Sequence, residues 1–268
     1  PVNGNIEFYN SRFVHSSINL PSSKFIAANS LFSARNQDPI FISIGNCDIS
    51  SSCFQGNPSA GTGFLSSGLA GYNIGGSTLI ATSTFSGFDN ALVFNGINSL
   101  GITGNNFIEN RNYNVVNNTS YNIVLPDNYW GTSDETIIQN KIFDQSDDID
   151  LGSISYIPFS TVNYVNNPIS SPRDVIKTAL GTDVIISWSN NLEPDLMGYR
   201  LYTGSQNGYS FSESIDLGAV NSIVVIGGNI SSNFAITAYD MEADGVSDIL
   251  EGHESWYSIA NTIPELPT

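Results

Sequence analysis

The feature that most restricts how this chain can fold is a loose repeat running through its first half. Phe13, Phe32, Phe54, Phe85 and Phe107 close the triplets SRF, SLF, SCF, STF and NNF, at intervals of 19, 22, 31 and 22 residues. Tyr129 follows Phe107 after another 22. An irregular period near this length suits stacked coils of two or three short strands, in which corners accept insertions and each coil buries its apolar face on the next. The unit is clearest over residues 100–110, LGITGNNFIEN. There Ile102 and Phe107 are expected to point inward, with Gly104 and Asn105 or Asn106 making the bend. Asparagines at equivalent corners can stack as side-chain ladders, which accounts for their abundance without any chemistry.

Composition agrees with such a fold. Of the 268 residues, 40% are hydrophobic and only 12% charged, so Asn, Ser, Thr and Gly must supply the polar surface. These are poor helix formers and good turn formers. Eight Lys and Arg face 25 Asp and Glu, a net charge of -17, which repels phosphate backbones and anionic bilayers and argues against nucleic-acid partners. No run of 18 apolar residues is present, so membrane insertion is not expected. Cys47 and Cys53 are the only cysteines, readable as a short-range disulfide or as two small core residues. Neither His15 nor His253 stands beside them, which disfavours zinc.

After the Pro, Asn and Ser-rich stretch 165–172 the rhythm changes. Residues 183–189, 198–204, 222–226 and 233–239 read as short strands separated by turn residues, the spacing of a β-sandwich. The expected organisation is therefore all-β: coils over 1–165, a linker over 166–172, a sandwich over 173–261 and an exit linker over 262–268. The first part carries a net charge of -7 and the remainder -10.

The repeat units, together with NYWG at 128–131, IFDQSDD at 142–148 and ISYIPF at 154–159, resemble the closing coils of the right-handed parallel β-helix, pectate-lyase-like superfamily. The later part resembles a fibronectin type III domain, with Trp188 as the core Trp, Tyr199 and Tyr202 on the following strand, and Phe234, Ile236 and Ala238 on the strand that usually begins with Tyr. Phe234 lacks the hydroxyl for a tyrosine corner. The order of these parts resembles modular bacterial surface proteins exported by type IX secretion. That resemblance implies a secreted or cell-surface fragment of a longer chain, with N-terminal coils and a C-terminal sorting domain missing.

Catalytic patterns are sparse. Polysaccharide lyases need a positioned base and a neutralised uronate, and glycosidases need paired carboxylates. Arg12, Lys24, Arg35 and Arg111 share no period, and the best lyase-like pair is Arg111 with Glu109. The adjacent acids Asp147 and Asp148 lie in the closing segment, where the resemblance makes them structural. Tyr72, Phe88, Tyr113 and Tyr121, each beside Gly or Asn corners, are candidates to stack on sugar rings if they are not core. Arg200, between Tyr199 and Leu201, is expected to be a surface ion-pair partner.

One acidic segment stands out. Residues 240–251, DMEADGVSDILE, place Asp240, Glu242, Asp244, Val246, Asp248 and Glu251 at loop positions 1, 3, 5, 7, 9 and 12, with Gly245 at position 6. This is EF-hand spacing, which brings oxygens from a curling backbone onto calcium. The preceding segment reads as strand, so the expectation is an EF-like loop in a sandwich holding one structural calcium. The function expected from all this is a non-enzymatic adhesin, glycan-binding or stalk protein of the extracellular surface. The alternative is the C-terminal part of a secreted polysaccharide lyase or glycoside hydrolase with catalytic coils partly upstream.

Overall fold

The computed structural model describes residues 5–14, 17–33, 41–56, 67–71, 77–95, 99–205 and 209–263. Over these the regular structure is β apart from two short helical turns, Glu135–Gln139 and Asp248–Glu251. It divides into two compact units, Pro1–Pro168 and Ile169–Thr268.

The first unit consists mainly of parallel strands. In a nine-stranded sheet, Asn5–Tyr9, Ser17–Ala28 and Phe41–Ser50 pair in sequence order, and Phe41–Ser50 then pairs with both Ser67–Gly71 and Ser77–Ala81. The former continues through Asn90–Phe94 and Tyr113–Asn117 to Ile142–Phe143, the latter to Ser99–Thr103. A second parallel sheet holds five short strands: Arg12–Val14, Leu31–Ser33, Cys53–Gln55, Thr84–Ser86 and Asn106–Ile108. The chain thus visits both sheets in turn, and each new pass pairs with the one before it.

The corner between the sheets has a local cause. Asn10, Asn29, Ser51, Thr82, Gly104 and Asp127 all adopt positive φ, between 45° and 68°. Each lies three residues before an aromatic mark. Asn, Asp and Gly tolerate this left-handed conformation best. Immediately after each comes a small polar residue that satisfies the neighbouring pass. The Ser11 N–H donates to Ser30 Oγ at 3.2 Å, Ser30 to Ser52 Oγ at 3.2 Å, Ser52 to Ser83 Oγ at 3.1 Å, Ser83 to Asn105 Oδ1 at 3.0 Å and Asn105 to Asn128 Oδ1 at 3.0 Å. The ladder expected for asparagine is therefore present, with serine taking its first rungs. Asn105 is fully buried, so Asn105→Ala should leave the Ser83 N–H without a partner at a cost of about 1–3 kcal/mol. Asn105→Ser, which restores the acceptor used at the other corners, should recover part of that loss in a denaturant titration.

Two residues further on, the phenylalanines stack. Phe13–Phe32, Phe32–Phe54, Phe54–Phe85 and Phe85–Phe107 have centroids 4.8, 4.7, 4.5 and 5.1 Å apart, with interplanar angles of 13° or less. The sixth member is Trp130, 4.8 Å from Phe107, and not Tyr129. The last coil is one residue longer ahead of its corner, with Asp127 23 residues after Gly104, so Tyr129 falls in register with Asn106 and bridges onward to Ser160. Ile102 and Phe107 are buried, as expected from the repeat.

In the closing segment, Asp134 caps Glu135–Gln139 by accepting from the N–H groups of Thr136 and Ile137. Buried Asp144 accepts from Ile154 N at 2.7 Å and from Ser146 N at 2.9 Å. Asp147 and Asp148 accept from the N–H groups of Asp144 and Asp150, so both acids hold turns. Cys47 and Cys53 are buried and are not joined in a disulfide. Burial, with Asp48 adding to it, pushes the Cys47 thiol up to about 12, which leaves it an inert core residue.

The second unit contains two four-stranded sheets. One runs Ser222–Val225, Asp183–Ser189, Arg173–Leu180, Asn261–Thr262; the other runs Glu213–Gly218, Leu196–Thr203, Ala235–Asp240, Ser258–Ile259. All pairings are antiparallel except that of Arg173–Leu180 with Asn261–Thr262. Alternation sends Val184, Ile186 and Trp188 from one sheet and Tyr199, Leu201, Ile236 and Ala238 from the other into a shared core. Trp188 meets Tyr199 edge-on at 5.3 Å. Phe234 joins that core, and the buried Tyr199 hydroxyl accepts from Asn191 N at 2.8 Å.

Candidate functional site

The same alternation that buries Tyr199 and Leu201 turns Arg200 and Tyr202 to the other face of their sheet. Residues 241–255 fold back over that face. Arg200 Nη1 donates to Asp248 Oδ2 at 3.0 Å and also to Glu254, and the guanidinium lies 4.7 Å from the centre of the Tyr239 ring. Glu254 Oε1 accepts from the Tyr202 hydroxyl at 2.7 Å and from Thr237 Oγ1. Arg200 is thus no surface pair: its side chain is 18% exposed, and those of both partner acids 3%. Burial disfavours its charge, but Glu254 and Asp248 outweigh that and its pKa is raised. Burial pushes Tyr202 upward, and its hydrogen bond to Glu254 pushes it further.

The expected calcium residues are placed separately. Asp240 accepts from Glu242 N at 2.9 Å and faces His253 Nδ1 at 3.1 Å. Burial raises its pKa, partly offset by His253. Asp248 takes the N–H groups of Asp244 and Gly245 as well as Arg200, and these donors overcome the cost of burial and lower its pKa. Asp244 accepts from Val246 N at 2.8 Å. Glu242, Val246 and Glu251 are exposed. Among the described residues, no group of three or more His, Cys, Asp or Glu is gathered as a metal ion needs. The loop carboxylates fasten the loop to Arg200, to His253 and to its own backbone.

Beside this cluster lies a group of rings brought together from three segments. Tyr257 is at the centre, 4.8 Å from Tyr202, 5.1 Å from Phe211 and 6.4 Å from Tyr209, with the last pair close to parallel. Tyr209 is exposed and the other three are half-buried. Tyr202 also lines an open cleft of about 410 Å³, whose other walls include Arg200, Ser214, Ser247, Asp248 and Glu254. Rings beside carboxylates, hydroxyls and a guanidinium form an amphipathic surface of the kind that takes small polar ligands. The sequence signal for it was the outward alternation of Arg200 with Tyr202 and of Tyr209 with Phe211. Tyr257 joins them only through the sheet pairing.

The aromatic candidates of the first unit fare differently. Phe88 is fully buried, which corrects its reading as a ring that could meet a sugar. Gly87, at φ 75°, turns the chain inward there, and the Phe88 N–H is held by Asn110 Oδ1 at 3.0 Å. Tyr113 is half-buried and packs edge-on against Phe143 at 5.4 Å. Tyr121 is 67% exposed. Tyr72 and Arg35 lie outside the described residues. Arg111 pairs with buried Asp89 at 2.7 Å, Lys24 with Asp48 at 2.9 Å, and Lys141 donates to the carbonyls of Asn110 and Arg111. Glu109 occupies a positive-φ corner equivalent to that of Gly87, two residues after the stacked ring. Compared with known proteins, the chain matches no family model and no curated protein. Among the described residues, no helix is long and apolar enough to cross a membrane.

Proposed function

We propose that this chain is a non-enzymatic, glycan-binding part of an extracellular bacterial surface protein. On this reading the parallel stack is a right-handed β-helix that serves as a stiff support, and the second unit is a fibronectin type III-like module that carries the binding surface. The observation that carries the reading is the half-exposed group Tyr202, Tyr209, Phe211 and Tyr257 beside the polar cleft. Aromatic faces meet the C–H faces of sugar rings, while the hydroxyls of Ser214 and Ser247 on the cleft wall match their hydroxyls. Two further facts support it. Arg111, Lys24 and Lys141 hold corners and strands together, and the net charge of -17 repels uronate polymers. The ligand class is therefore neutral or amino-sugar glycans.

Retention on a panel of immobilised neutral, amino and acidic polysaccharides tests this, run together with assays for new reducing ends and unsaturated products. The expected result is retention on neutral or amino polymers with no product. Product release that disappears in Arg111→Ala would establish a lyase or hydrolase instead.

A further inference from the structure

The loop with EF-hand spacing is not where this chain most needs a cation. Where the second unit begins, the turn carrying Asn191 and Glu193 closes on Ser170. Glu193 Oε1 accepts from the Ser170 N–H at 3.0 Å and from its hydroxyl. Asn191 Nδ2 donates to the Ser170 carbonyl at 2.7 Å and lies 3.2 Å from its hydroxyl oxygen. The Asn191 N–H is held by Tyr199. These bonds fix both side chains, and each is left with one oxygen unmatched. Glu193 Oε2 and Asn191 Oδ1 are buried acceptors without a hydrogen-bond donor, on residues only 6% and 8% exposed. An ionised carboxylate oxygen without a donor in such a place costs several kcal/mol in general. The Asn191 amide cannot flip to relieve its own oxygen without giving up the Ser170 carbonyl.

We infer that Asn191 Oδ1 and Glu193 Oε2 bind a hard cation of the calcium or sodium type, with water completing its shell. The ion supplies the positive charge that both oxygens lack and ties the start of the unit to the turn entering Leu196–Thr203. Both oxygens are hard donors, which suits calcium or sodium and disfavours thiophilic metals. The site is distinct from residues 240–251, whose buried carboxylates already have partners.

The test uses the whole chain stripped with chelator, melted in choline chloride and then with calcium or sodium chloride at matched ionic strength. The expected result is that calcium or sodium raises the midpoint of the second unit by roughly 5–10 °C. Glu193→Gln should abolish the rise, and the double variant Asp244→Asn with Glu251→Gln should keep it. Asn191→Asp, which adds a second anionic ligand, should bind the ion at least tenfold more tightly, and this reads the site even if Glu193→Gln fails to fold. No rise beyond choline, a rise surviving Glu193→Gln, or one lost in the loop double variant would overturn the assignment.

Discussion

Phe54→Ala is expected to destabilise the first unit by about 3–5 kcal/mol, the largest effect of any single truncation in the stack. Phe54 is fully buried and lies face-on between Phe32 and Phe85 at 4.7 and 4.5 Å. Truncation removes both ring contacts and opens a void that the parallel backbones on either side cannot close without breaking register. Because each pass rests only on its neighbours, the damage divides the stack into two shorter arrays. Phe54→Leu fills most of the void and should cost much less, below about 1.5 kcal/mol if the neighbours repack. Denaturant titration followed by separate probes for the two units reads the effect. The transition of the first unit should move while that of the second stays in place.

The second large effect lies in the other unit. Glu254→Ala should cost about 3–5 kcal/mol, because one buried carboxylate serves Arg200, Tyr202 and Thr237 together. Its removal leaves Arg200 with Asp248 alone and strips two hydroxyl donors of their acceptor, each a penalty of about 1–3 kcal/mol that does not simply add. The control is Glu251→Ala, an exposed acid of the same loop, which should change stability by less than about 0.5 kcal/mol. If the two variants melted alike, the cluster would not be holding the loop to the sheet.

What could be read beforehand, and what could not, follows from how far apart the interacting residues lie. Phe13, Phe32, Phe54, Phe85 and Phe107 were legible because each fills the same inward position of a repeated unit. The final step slipped by one residue: the interval to Tyr129 fitted the period, but one residue is added between Phe107 and the corner at Asp127, and only pairing geometry reveals that Trp130 takes the place. Phe88 stood among the candidates to meet a sugar because it follows a glycine, and the positive φ of Gly87 turns it into the core. The spacing of acids over residues 240–251 was plain in the sequence. Their partner Arg200 sits 48 residues from Asp248, a pairing made by the sheet and invisible to local spacing. The ring group of Tyr202, Tyr209, Phe211 and Tyr257 depends on sheet pairing in the same way, which is why single aromatics in the first unit drew attention first.

Sugar binding at the ring-and-cleft surface of the second unit is the step on which the proposed function rests. Its most direct test is a calorimetric titration with oligosaccharides of whichever neutral or amino polymer retains the protein, comparing the unaltered chain with Tyr209→Ala and Tyr121→Ala. Both rings are substantially exposed, at 48% and 67%, so neither truncation should disturb folding. Loss of one stacking ring worth about 1.4 kcal/mol corresponds to tenfold in affinity. At least that loss is expected for Tyr209→Ala and none for Tyr121→Ala. Equal affinity for the unaltered chain and Tyr209→Ala, or a loss confined to Tyr121→Ala, would contradict it.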